Sequence, residues 1–498
     1  MIDPRTPVLV AGGQVNQRTE KGDPALEPVD LIVEAARRAE ASSGASAGRL
    51  LTALDSVRVI SLLSWRYLDP GALVGERLGA TPRHTAYTSA GGNTPQSLVN
   101  RTCLDIAAGK ADVVLIGGAE AWRTRMSFRS HGDKPPWTVQ DESVAPTELL
   151  GGEFEMMHPY ELARGIAMPV QVYPMFEQAL RHAQGRSIED HMVRISELWS
   201  RFSEVAASNP NAWARRAYTP EEIRTPGPDN RWIGFPYPKL MNSNNSVEQG
   251  AAVLLCSAEA AERLGVPRER WVFPHSGADA HDTYGLSNRH DLHSSPAMRA
   301  TGRATLELAG VGVDDVNLID LYSCFPSAVE IAASELGLPV DDPARPLTVT
   351  GGLSFAGGPW NNYVTHAIAT MADRLREAPS GSYGLCTANG GFITKHSMGI
   401  YANVPSATGF QWADVQEEVD RAPTREAVAE HDGDVVIESW TVMHDRAGQP
   451  ENGLAAVLLP DGRRAWGTTQ DPDALKVLLT DDMIGRQAHL SVDGSLTL

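Results

Sequence analysis

The chain is 498 residues long, with 42% hydrophobic and 21% charged residues and a formal net charge of −19. Its length exceeds what one hydrophobic core supports, so two or three folded units are expected, and its composition excludes an extended disordered chain. The acidic balance excludes nucleic acid as the main partner, because a phosphate backbone requires a basic face, and any phosphate-bearing ligand must be held by a local cluster.

The opening MIDPRTPVLVAGG runs straight into a short apolar strand. It has neither the basic start nor the long apolar stretch of a signal peptide, and no later run approaches the roughly 18 apolar residues of a membrane span. Short runs that are apolar on both faces recur at 8–10, 56–61, 112–117, 251–257, 317–322 and 383–387, as in central strands of a covered sheet. Between them lie helical patterns. Residues 28–41 begin with Pro28 in the first turn, and 95–109 and 365–376 carry apolar residues at three- and four-residue spacing. Alternating strand and helix predicts an α/β fold, with a mainly parallel sheet covered by helices.

The pattern occurs twice. Gly91-Gly92 is followed by helix, strand and Gly117-Gly118, and Gly357-Gly358 is followed in the same order by helix, strand and Gly390-Gly391. Two related α/β halves are the simplest reading, the first at 1–122 and 240–265, the second at 266–405. An insertion at 123–239 interrupts the first half, and insertions of that size serve as lids or binding platforms. This one carries a helix at 187–207, opened by Ser187-Ile188-Glu189-Asp190 and closed by Asn209-Pro210. Its Arg123, Arg125, Arg129, Arg215 and Arg216 are the candidate cations for a phosphate-bearing ligand. After Pro405 an acidic, helix-like segment at 417–430 precedes strands at 434–444, 453–459, 463–467, 487–492 and 495–498. Pro460-Asp461-Gly462 reads as a hairpin turn. A small β-rich, OB-like domain is expected at 406–498, without the interleaved basic and aromatic residues of a nucleic-acid binder. Cys103, Cys256, Cys324 and Cys386 stand too far apart for a disulfide framework or a metal site, which predicts a metal-free, cytoplasmic protein.

Taken in order along residues 5–405, RTPVLVAGG, GKADVVLIGGAEA, NSVEQGAAVLLCSAEAAERLG and DLYSCFPSAVEIAASELGL resemble the thiolase superfamily, as do the glycine pairs near 351–359 and 390–391. Within it the resemblance points to sterol-carrier-protein-type thiolases and thiolase-like proteins of type 1. It implies a duplicated five-layered αβαβα fold, and coenzyme A (CoA) or an acyl-CoA as ligand, with no tightly bound cofactor. It also implies pairing through the strand beside the nucleophile segment, unless the C-terminal domain blocks that surface, so monomer and homodimer both stay open.

Catalytic positions follow from the same resemblance. The nucleophilic cysteine falls on Ser89, which has no accessible anion near neutral pH without a base and is read more readily as a helix N-cap. The histidine of Gly-His-Pro becomes Gly358. The Asn-Glu-Ala-Phe or His-Asp-Cys-Phe box becomes Tyr322-Ser323-Cys324-Phe325, and the last cysteine is retained as Cys386. Tyr363, His366 and His396 lie beside the same loops. Cys386 with His366 or His396 as base would make an alternative nucleophile, whereas buried cysteines and helix histidines are commonly core residues. Losing the nucleophile and one oxyanion donor would each cost several kcal/mol of transition-state stabilisation. Three functions stay open. One is an acyltransferase of the acetyl-CoA acetyltransferase type, in lipid or sterol metabolism, with a rewired site. Another is a carbon–carbon lyase acting on a 3-hydroxyacyl-CoA through Tyr322 or Tyr363. The third is a non-catalytic acyl-CoA-binding protein.

Overall fold

The computed structural model describes residues 2–18, 25–152 and 154–498. Each half is built on a sheet with the same pairing pattern. In the first, Ser56–Val59 runs parallel to Val113–Ala121, which pairs antiparallel with Glu248–Ser257, itself antiparallel to Pro7–Asn16. In the second, Val316–Asp320 runs parallel to Tyr383–Gly390, which pairs antiparallel with Lys395–Ala402, itself antiparallel to Phe273–His281. The repeated glycine pairs thus mark a repeated topology. The sheets are mixed, not mainly parallel as the alternation predicted. The antiparallel strands KHSMGIYA and FPHSGADAH carry polar residues among the apolar ones and do not read as buried strands.

Helices fill three layers. Thr94–Ala107 and Tyr363–Glu377 lie between the two sheets and contact strands of both. Pro28–Ser42 covers the far face of the first sheet and Pro296–Ala309 that of the second, completing the αβαβα order. Gly12-Gly13 shows why the opening strand carries glycines in its interior. A Cβ on Gly12 would lie 2.6 Å from the Ala369 Cβ of the central helix, and one on Gly13 would collide with the Ala35 and Ala39 backbone of the outer helix. Two bare positions let one strand approach helices on both of its faces.

The insertion folds into helices, chiefly Pro169–Ala183 and Ile188–Ser208, the second capped as expected by Ser187 Oγ, which accepts from Asp190 N–H at 3.0 Å. One piece of it, Glu148–Leu150, forms a strand parallel to His84–Thr88 and covers that edge of the first sheet. The edge beside the nucleophile segment is therefore covered by the insertion, not by the C-terminal domain.

The strands Gly433–His444, Pro450–Leu458, Arg464–Thr469, Gln487–Leu490 and Leu496–Thr497 form an antiparallel C-terminal sheet close to the expected set. The helix Pro472–Thr480 packs on it, which the sequence pattern did not reveal. Trp232–Gly234, from the insertion, pairs with the same sheet through Gly234 and Met443. The helix expected at 417–430 shrinks to Gln416–Val419. Pro423 cannot donate within a helix, and Arg425 N–H bonds to the Asn288 carbonyl at 2.9 Å, which draws the chain along the second half instead. No described helix is long and apolar enough to cross a membrane.

Candidate functional site

A cavity of about 510 Å³ opens where the strands of both halves end. The loop Ala90-Gly91-Gly92 enters it just before the helix Thr94–Ala107, whose N-terminus favours negative charge nearby. Tyr322, Cys324 and Phe325 follow the strand Val316–Asp320, and Gly358, Trp360 and Asn361 enter from the loop before the second central helix. Asn389, Gly391, Phe392 and Lys395 come from the hairpin between the strands Tyr383–Gly390 and Lys395–Ala402. Pro169, Val170 and Tyr173 of the insertion form the roof.

Tyr322 is held by its N–H, which donates to Thr387 Oγ1 at 2.9 Å, and by edge-on packing against Tyr363 at 5.4 Å between ring centroids. Its hydroxyl reaches to 2.6 Å from where a Cβ on residue 92 would sit. Gly92 is thus the space that the phenol occupies. Burial raises the Tyr322 hydroxyl above its ordinary pKa, so at neutral pH it is a hydrogen-bond donor. Cys324 lines the same cavity beside the Tyr173 hydroxyl, and burial pushes its thiol up to about 12, leaving almost no thiolate at neutral pH. At Gly358 a Cβ would run into Ser243 Oγ and lie 3.0 Å from Asn245 Oδ1. Those two side chains, joined by a 2.6 Å hydrogen bond, fill the room that a histidine would need.

Other positions that the resemblance singled out lie elsewhere. Ser89 does not face this cavity. Its N–H donates to the Leu150 carbonyl at 2.7 Å, which extends the pairing with the insertion strand and turns Oγ toward Gly151. Nor does it cap the helix, whose N-cap is Asn93. Cys386 is fully buried in the second sheet, and burial pushes its thiol pKa far up. The cavity-facing residue of that strand is Asn389, three positions on and on the opposite face. Asn389 Nδ2 donates to the Tyr173 hydroxyl at 3.1 Å, while its buried Oδ1 has no hydrogen-bond partner among the described residues.

His366 sits inside the central helix with Nδ1 2.9 Å from Gln14 Oε1, and burial lowers its pKa to about 3, so it is a neutral core residue. His396 is buried against Asp282, Ser295 and the Ile393 carbonyl, outside the cavity lining. The Tyr363 hydroxyl is taken up by Asp320 at 2.9 Å and Thr350 at 2.6 Å, a buried network that fixes the loop behind Tyr322. Trp360 lines the cavity with a left-handed φ of 47°, a strained backbone for a bulky residue.

Two further cavities adjoin. An outer one of about 1270 Å³ shares Val170, Ser243 and Asn245 with the inner cavity and opens past Arg216, Arg231 and Lys239. Carboxylates are interspersed there, and Arg216 pairs with Glu222 at 2.6 Å while lying 4.4 Å over the Tyr218 ring. Of the five arginines proposed from sequence, Arg216 alone is among the lining residues. Arg123 and Arg125 lean toward the Trp213 and Trp65 rings at 5.6 and 5.8 Å, and Arg129 and Arg215 are exposed. On the other side a groove of about 780 Å³ meets the inner cavity at Lys395 and carries Ser89, Leu98, Leu104, Leu150, Phe154 and Trp412.

Sequence reasoning missed Ser243, Asn245, Asn389 and Lys395. The run Asn242-Ser243-Asn244-Asn245-Ser246 shortly ahead of the apolar stretch 250–256 was the available signal for the first two. Nothing local marks the last two, whose relevance comes from the hairpin's position.

Comparisons with known proteins agree with this architecture. Residues 414–495 match the family described as the thiolase-like protein type 1 additional C-terminal domain. The crystal structure of a monomeric SCP2-thiolase-like protein type 1 from Mycobacterium smegmatis superposes with a TM-score of 0.84 at 34% identity, covering 100% of this chain and 99% of that one. The Ltp2–ChsH2(DUF35) aldolase shares the fold at a TM-score of 0.60 and 19% identity, over 80% of this chain and 98% of that one. An acetyl-CoA acetyltransferase of Methanocaldococcus jannaschii is 23% identical over 268 residues, which span 53% of this chain and 60% of that protein. The chain belongs to the SCP2-thiolase-like protein type 1 family of the thiolase superfamily.

Proposed function

We propose that this protein binds CoA or an acyl-CoA, with the adenosine end in the outer cavity and the thioester beside Tyr322. One observation carries the reading: the outer and inner cavities meet at Val170, Ser243 and Asn245, so a single long ligand can reach from the Arg216 side to the Tyr322 hydroxyl. Ser243, Asn245 and the unpaired Oδ1 of Asn389 are suited to hydrogen-bonding the amides of a pantetheine arm.

The site favours chemistry by carbonyl polarisation over acyl transfer. Cys324 is a protonated thiol with no histidine lining its cavity, and Gly358 supplies no side-chain donor. The phenolic O–H of Tyr322 is placed to donate to a thioester oxygen as enolate charge builds. This supports a carbon–carbon lyase on a 3-hydroxyacyl-CoA: the 3-hydroxyl loses its proton, the C2–C3 bond breaks, and C2 of the enolate thioester takes up a proton. The same reading makes the chain a monomer, since its own insertion strand occupies the edge beside the loop 89–92.

The test is calorimetric titration with CoA, followed by intact-mass measurement after incubation with acetyl-CoA and acetoacetyl-CoA. The expected result is CoA binding with no covalent adduct. An acyl group mapped to Cys324, Cys386 or Ser89 would overturn the non-covalent chemistry, and an absence of CoA binding would overturn the whole reading.

A further inference from the structure

Lys395 is, among the described residues, the one side chain that lines both the inner cavity and the groove beyond it. It begins the strand Lys395–Ala402, and its Nζ rests over the glycine loop, 2.8 Å from where a Cβ on Gly91 would lie. The ammonium donates to the Ala90 carbonyl at 2.7 Å. An ammonium has three donors, and no carboxylate lies within ion-pair distance of this one among the described residues. Of the two carboxylates that line the same groove, Asp279 is engaged by Ser97, Asn100 and Trp412, and Asp105 by Arg58 and Arg101. Burial lowers the Lys395 pKa, since the surrounding protein solvates the ammonium less well than water does.

The groove past Lys395 combines an apolar stretch with polar and charged side chains, Arg101 and Lys110 among them. Leu98, Leu104, Leu150, Phe154 and Trp412 line it, and Phe154 and Trp412 remain partly open to solvent although apolar or aromatic. A ligand continuing out of the inner cavity would pass the ammonium and then meet these side chains.

We propose that Lys395 selects thioesters whose acyl group carries a carboxylate: the thioester lies at Tyr322, the acyl chain leads toward the groove, and its carboxylate pairs with the ammonium. The proposal rests on the acyl-CoA reading above and names the substrate class for that site, an ω-carboxyacyl thioester.

The experiment compares chain-matched pairs by calorimetry: butyryl- with succinyl-CoA, hexanoyl- with adipoyl-CoA and octanoyl- with suberoyl-CoA, with CoA alone as reference. The expected result is that the carboxylate member of at least one pair binds about tenfold more tightly to the wild-type protein, an ion pair partly shielded from water. Lys395→Met should abolish that preference and leave CoA affinity unchanged, and Lys395→Arg should retain part of it. Equal affinities across all three pairs in the wild-type protein would overturn the proposal without any variant. A preference that survives in Lys395→Met would also overturn it. So would an equal loss of affinity for CoA itself, since Lys395 would then serve the CoA arm. If CoA does not bind the wild-type protein, the failure lies in the acyl-CoA reading and not in the choice of acyl group.

Discussion

At the residue scale, glycines and their neighbours say more about this site than the nucleophile positions do. Gly92 and Gly358 are places where another side chain already stands: Tyr322 over the first, Ser243 and Asn245 over the second. A histidine at 358 would have to displace the Ser243 and Asn245 side chains, neither of which belongs to the Gly-His-Pro pattern. The motif that reads most plainly as thiolase-like, Gly117-Gly118-Ala119-Glu120, has a structural task. Glu120 is fully buried and accepts from the Leu63 and Ser64 N–H groups at 2.8 and 2.7 Å, pinning the loop behind the first sheet. Burial raises its pKa from 4.5 to about 7. A carboxyl whose pKa is raised on folding loses stability as pH rises. Below the unfolded value both states hold the proton. Between about 4.5 and 7 the unfolded chain ionises first, and above 7 the loss is complete, on the order of 3 kcal/mol. Urea denaturation at pH 5 and pH 8 should therefore show a larger fall for the wild-type protein than for Glu120→Gln. Equal falls in the two proteins would refute this account of Glu120.

At the element scale, the strand Glu148–Leu150 forms the outer edge of the first sheet. It is short, it satisfies the outer edge of His84–Thr88, and Leu149 remains 71% exposed beside it. A short edge strand is a poor template for a further strand. Light scattering on the purified protein should give the mass of one chain. Leu150→Pro should break the pairing with His84–Thr88 and open that edge, giving dimers or larger species; a variant that stays monomeric with unchanged stability would show that the strand is not what prevents association. Such a strand was not legible in sequence. Glu-Leu-Leu has no period, and its partner His84–Thr88 is equally plain. The helices of the two halves were legible to within a residue or two, because their apolar residues recur at helical spacing and Pro28 and Pro95 mark starts. Of the site, Tyr322, Cys324 and Gly358 were found through a motif, and they line the cavity. Ser89 and Cys386 were not placed correctly by the same route. The pleat and an unforeseen neighbouring strand turn those two away, and neither is encoded within the motif itself.

At the scale of the whole molecule, the C-terminal domain braces the roof of the cavity. The roof helix Pro169–Ala183 packs against the strand Gly433–His444, with Ser439 Oγ donating to the Met175 carbonyl at 2.6 Å. Buried Arg181 of that helix pairs with Asp482 at 2.8 Å, and buried Arg464 donates to the Ser287 carbonyl at 2.9 Å. The domain was legible as a set of strands, but its attachment was not, since these contacts join residues far apart in sequence. Deleting residues 426–498 should lower the melting temperature and weaken CoA binding together, as the roof loses its outer support. A truncated chain with unaltered binding would detach the domain from the site. The pairing of Gly234 with Met443 carries one more consequence, for how such a protein is inherited. Because the insertion lends a strand to the terminal sheet, the two segments are structurally coupled despite the chain that separates them. A recombinant that receives the tail of a relative without its matching insertion inherits a sheet with a vacant place, so the two segments are expected to pass between lineages as a pair.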